Sequence, residues 1–157
     1  MIGLAKKLSL KINLSIVSST VSSFSIIASA FVENNGNEDK VIRILVPLVF
    51  WFGLIAEQIL IWSANSVRKK LEAENKVRIT HDRAGVISIP KTLEGKTTDI
   101  IMILSVMAFV VLFCFEIGEG FIQHLFVALI VLSFRLHCIF NGKNYIYKKY
   151  LAKRKVD

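Results

Sequence analysis

Four stretches of the chain are apolar almost without interruption, running from about Ile12 to Val32, Val41 to Ser63, Asp99 to Ile117 and Phe121 to Phe140. An α-helix rises ~1.5 Å per residue, so crossing a hydrocarbon core of about 30 Å takes roughly 20 residues. Within lipid only helices and closed barrels satisfy every backbone donor and acceptor. None of the four stretches alternates as a barrel strand does. The pattern therefore predicts an all-α integral membrane bundle of four transmembrane helices.

The polar segments between these stretches differ in charge, and the difference predicts an orientation. Residues 33–40 (ENNGNEDK) are short and acidic and 117–120 (IGEG) form a tight turn, whereas the loop 64–98 and the tail 141–157 are basic. Lys6, Lys7 and Lys11, the cations of the long loop and those of the tail together hold 17 of the 20 basic residues. The positive-inside rule places that side in the cytoplasm, with both termini there, in a multi-pass protein of the cell membrane. A second reading takes the basic start, the first apolar run and Ala28-Ser29-Ala30 as a signal cleaved after Ala30, which leaves three spans.

Composition narrows the class further. The 157 residues are 54% hydrophobic and 20% charged, with a mean hydropathy of +0.56, too apolar for an ordinary soluble fold and consistent with a single membrane domain. The net charge of +8 sits beside the apolar runs rather than on a separate basic domain. It points to anionic lipid headgroups, not nucleic acid, as the charged partner. Cys114 and Cys138 fall inside apolar runs without metal-ligand spacing, so neither a disulfide framework nor a zinc site is implied.

Between the second and third spans, Ser66 to Lys76 is rich in helix formers of mixed charge and predicts a helical stub continuing the second span. Val77–Thr80 and Val86–Ile89 are short β-prone runs that predict a hairpin closed at Gly85 and ended by Pro90. Thr97 or Thr98 is the expected cap of the third helix, with Asp99 near the positive end of its dipole.

Five serines, Ser15, Ser18, Ser22, Ser25 and Ser29, recur at alternating spacings of three and four and mark one face of the first helix. Small residues let helix backbones approach closely in lipid, so this stripe predicts a packing face; a polar permeation face is the alternative. Glu57 and Arg135 lie at matching depths in spans that run in the same direction, roughly 9 Å inside for Glu57. They form a candidate intramembrane polar pair, either a structural clamp or part of a proton or substrate path. His124, Ala128, Val131 and Cys138 share the stripe of Arg135, while His137 points elsewhere and His81 lies in the loop. The histidines thus make no metal constellation, and no nucleophile elbow, P-loop, dinucleotide fingerprint or zincin motif occurs. Neither a catalytic residue nor a cofactor is predicted. Trp62 fits an aromatic belt, Trp51 is nearer mid-span, and Tyr145, Tyr147 and Tyr150 alternate with lysines as expected of interfacial anchors.

The segment His137-Cys138-Ile139-Phe140-Asn141-Gly142-Lys143-Asn144-Tyr145, with Asp99 opening the third span, resembles the end of small uncharacterised multi-span membrane proteins of Gram-positive bacteria. The resemblance covers mainly the loop and the last two spans. It implies a bacterial membrane setting and carries over no functional residue. The expected role is an accessory or immunity-type protein acting by contact with a membrane protein or with itself. The alternative is a small oligomeric transporter or channel built on Glu57, Arg135 and the serine stripe. An intramembrane enzyme would need His124, His137 or Glu57 to converge. The orientation has a direct test: in a background with Cys114 and Cys138 replaced by Ser, an impermeant maleimide applied to intact cells should label Asn37→Cys and leave Lys153→Cys unlabelled until the cells are opened.

Overall fold

A computed structural model describes residues 2–34, 40–75, 92–115 and 120–153, all but a few turn residues of them helical. The helices are α1 (Ile2–Asn34), α2 (Lys40–Asn75), α3 (Leu93–Cys114), α4 (Gly120–Phe140) and α5 (Lys143–Lys153). α1 to α4 are each long and apolar enough to cross a membrane. The expected hairpin at 77–89 and its turn around His81 lie outside the described residues.

Two element boundaries differ from the sequence expectation, while α2 continues through the charged stub to Asn75 as expected. α1 starts some ten residues earlier than its apolar run. α3 begins at Leu93, capped by Thr92, whose hydroxyl accepts from the Gly95 amide at 3.0 Å. Thr97 and Thr98 are therefore not caps: inside the helix their hydroxyls donate to the carbonyls of Leu93 and Gly95. The tail, read from its composition as an anchor, folds back as α5. Gly142 lies in the turn between α4 and α5 and fits closely, since a Cβ there would lie only 3.0 Å from the Cys138 carbonyl oxygen.

The spans stand in the order α2, α1, α4, α3. α1 packs between α2 and α4, α3 packs on the far flank of α4, and among the described residues the backbones of α2 and α4 do not come close. α5 lies across α1, α2 and α4 at the end bearing the basic termini.

Burial is uneven along the helices, and the reason is the change of solvent. Large apolar side chains are exposed from Leu10 to Phe31 on α1 and from Val41 to Trp62 on α2, each a stretch of about 31 Å at the helical rise. That length matches the hydrocarbon core, and lipid tails solvate such side chains as well as neighbouring helices would. Accordingly only 6% of the apolar window of α2 is buried in the protein. Past Trp62 water returns and with it the drive to hide apolar surface. There Leu8, Ile12, Ala64, Val67, Leu71, Ile139, Tyr145 and Tyr147 form the core, with Leu8, Leu71 and Tyr147 essentially inaccessible. Hence Tyr145 and Tyr147 are core residues of a cap rather than lipid anchors, while Trp62 sits exposed at the belt edge and Tyr150 packs on Tyr147.

This division has a measurable consequence for stability. Leu71→Ala should cost about 2–5 kcal/mol by loss of burial and cavity formation, whereas Ile59→Ala on the lipid face should stay within about 0.5 kcal/mol. Equilibrium unfolding in mixed micelles compares the two directly; equal losses would place the core elsewhere.

Candidate functional site: a charge bridge over a serine face

α1 presents Leu8, Ile12, Ser15, Ser19 and Ser22 at alternating spacings of four and three, all buried. In the apolar belt this face is made of serines, so it is shallow. Ser15, Ser22 and Ser25 are buried and Ser18 and Ser29 partly so, and beside them lie Ser19 and Ser23, also buried. Ser15, Ser22, Ser25 and Ser29 donate to carbonyls three or four residues back in their own helix, which satisfies the hydroxyls locally. Ser18 instead donates to the Gly53 carbonyl of α2 at 2.8 Å. The two backbones meet tightly at this point. A Cβ on Gly53 would fall 2.4 Å from the Ser22 Cβ, so only glycine fits.

One turn beyond Gly53, Glu57 projects over the same face and meets Arg135 from α4. Arg135 Nε donates to Glu57 Oε2 at 2.7 Å, and Nη2 makes a second, shorter contact with the same oxygen. Ser19 donates to that oxygen at 2.6 Å, and Arg135 Nη1 donates to the Ser22 hydroxyl. The Ser19 carbonyl and the Ser23 hydroxyl lie 3.4 Å from Nη1. Both charged residues are nearly inaccessible, at 3% and 7% exposure. An isolated charge at this depth would cost several kcal/mol, and pairing, with the added hydrogen bonds with the serines, offsets that cost. Gln58 faces outward and takes no part.

The remaining candidates go elsewhere. His137 Nδ1 contacts Asp99 of α3, and Asn141 Nδ2 lies 3.1 Å from the same nitrogen, so this trio joins the basic ends of α3 and α4. The Thr92 hydroxyl donating to the Phe140 carbonyl at 3.3 Å and the Lys149–Glu94 ion pair extend that joint. Glu94 holds the Lys149 ammonium above its ordinary value and Lys149 holds the Glu94 carboxyl below its own, so the pair persists through neutral pH and is lost as pH falls through the lowered value or rises through the raised one. Burial pushes the Tyr145 phenol up as well. His124 shares the α4 stripe with Arg135 but lies three turns away, so His124, His137 and Glu57 do not share a pocket. Among the described residues no cluster of His, Cys, Asp and Glu could hold a metal.

Sequence reasoning missed Ser19 and Ser23. For Ser19 the signal was present: Ser19 and Ser22 continue the four-three spacing of Leu8, Ile12 and Ser15, so the apolar heptad of the cap turns into serines inside the membrane.

These features define a multi-pass α-helical membrane protein whose spans are tied together by a buried ion pair. Comparison of the chain with protein-family models, with curated proteins and with solved structures finds no match.

The bridge predicts a non-additive mutational pattern. Glu57→Gln or Arg135→Gln alone leaves a buried charge unpaired and should cost about 3–5 kcal/mol, while the double variant should cost clearly less than the sum. Unfolding of the four proteins in one detergent gives the cycle; additive losses would show that the two groups do not interact. Gly53→Ala should itself destabilise by about 1–3 kcal/mol through overpacking.

Proposed function

We propose that the chain is an accessory protein of a bacterial cell membrane, with both termini cytoplasmic, that acts by lateral contact with another membrane protein. An immunity-type protein shielding the cell from a membrane-active toxin is one form of that role. The supporting observation is the closed charge bridge. Glu57 and Arg135 are taken up by each other and by Ser19 and Ser22, so the intramembrane charges that would draw an ion or substrate into a path are held in a fixed clamp. The outer helices meanwhile present apolar side chains along their length, including Phe52, Ile55 and Ile59 on α2 and Ile103 and Met107 on α3. Such faces suit lipid and a neighbouring span alike, since helix association in lipid rests on packing rather than on apolarity.

Two measurements separate this reading from transport. A photoreactive residue at Phe52 or Ile103 should form one defined protein adduct in native membranes. Proteoliposomes of the purified chain should show no proton or small-ion flux above empty vesicles. Flux that disappears in Glu57→Gln while the protein stays folded, with lipid adducts only, would overturn the proposal in favour of a transporter or channel.

A further inference from the structure

The row of helices leaves a groove above α1, walled by α2 and α4. The Glu57–Arg135 bridge closes it within the membrane, and α5 overhangs it at the basic end. Between bridge and overhang lies a cavity of about 480 Å³. Its lower lining is apolar, with Ile12, Ile61 and Ile139, and its upper lining is polar, with Asn65, Arg68, Lys143 and Asn144. Two cations line it, Arg68 and Lys143; Glu72, ion-paired with Arg68, is not on the lining but offsets part of that charge. Trp62, the last large apolar side chain exposed on α2, marks the belt edge between these two zones. Arg68 stands about 9 Å above Trp62 along the helix, at the level of lipid headgroups.

The Arg68 guanidinium is held in place by three bonds: Nε to Asn144 Oδ1 at 3.0 Å, Nη2 to Asn65 Oδ1 at 2.6 Å and Nη1 to Glu72. A guanidinium has five N–H donors, so two remain beyond these three acceptors. A donor whose position is already fixed loses little freedom when it binds an anion. Lys143, exposed on the lining, supplies a second charge at the mouth.

From this arrangement we infer that the cavity is a binding site for the phosphate of an anionic phospholipid, with Arg68 and Lys143 on the phosphate and the start of an acyl chain against Ile12, Ile61 and Ile139. The phosphate of a soluble ester would meet the same cations, but it would leave the apolar half of the cavity unfilled. The site therefore favours the lipid.

Cys138 lines the cavity and reports on its occupancy. The full chain is placed in nanodiscs of phosphatidylcholine with increasing phosphatidylglycerol, and the alkylation rate of Cys138 is followed by peptide mass spectrometry. Phosphatidylglycerol should slow the reaction saturably. Lys143→Gln, an exposed change that leaves the helices intact, should raise the mole fraction needed for half-protection about fivefold. Lys70→Gln, an exposed cation of α2 outside the cavity, should leave it unchanged. Arg68→Gln should abolish protection where it folds; because its three bonds also brace the cap, the Lys143 comparison carries the test. Equal shifts for Lys70→Gln and Lys143→Gln, or no protection at all, would overturn the site. Protection by inorganic phosphate in pure phosphatidylcholine discs, without protection by phosphatidylglycerol, would overturn the lipid as its occupant.

Discussion

The bridge from Arg135 to Glu57 across α1 is the contact on which the arrangement of the spans rests. Lipid tails supply no hydrophobic drive between helices, so order within a membrane depends on close backbone approach and on polar groups with no other partner. Both act at one level of this protein. Serines make α1 thin enough for side chains from its two neighbours to meet above it, and Gly53 lets α2 settle against Ser18 and Ser22. A larger residue at Ser19 or Ser22 would fill the space that the guanidinium and carboxylate occupy. α1, the least apolar of the four windows, is thus also the most buried, at 33%.

Outside the membrane a different force takes over. The ends of α1, α2 and α4 extend past the lipid belt, and in water their apolar side chains gain by burial. α5 closes that cap with Tyr145 and Tyr147, held by Lys148 to Asn13 at 2.9 Å and by Asn144 to the Ile61 carbonyl at 3.3 Å. α3 has no place in this core. It is fastened by polar contacts at its amino end, from Thr92, Glu94 and Asp99 to Phe140, Lys149 and His137. The molecule is therefore organised by burial at one end and by hydrogen-bonded charge within the bilayer.

That organisation bears on what the surfaces can do. Charges held in the clamp are already paired, whereas the flanks of α2 and α3 are apolar and exposed and the cavity beneath α5 is open to a second molecule. The flanks suit a neighbouring span. The cavity, polar above and apolar below, suits a molecule with the same division.

The spans, the matching depths of Glu57 and Arg135, and the serine face of α1 could be read from the amino-acid sequence, because each depends only on position along a helix axis. A fixed rise converts residue number into depth, and a fixed turn converts spacing into a face. Thr92 as the cap of α3, the return of α5, the burial of Tyr145 and Tyr147, and the pairing of Asp99 with His137 could not be read in this way. Each depends on which helices are neighbours and at what rotation, and hydropathy within a membrane carries almost no information about either. Lipid rewards an apolar side chain equally on every side of a helix. Tertiary packing alone decided that α1 stands between α2 and α4, and it did so through the few residues, Gly53, Ser18, Ser19 and Ser22, whose size and polarity allow that one approach.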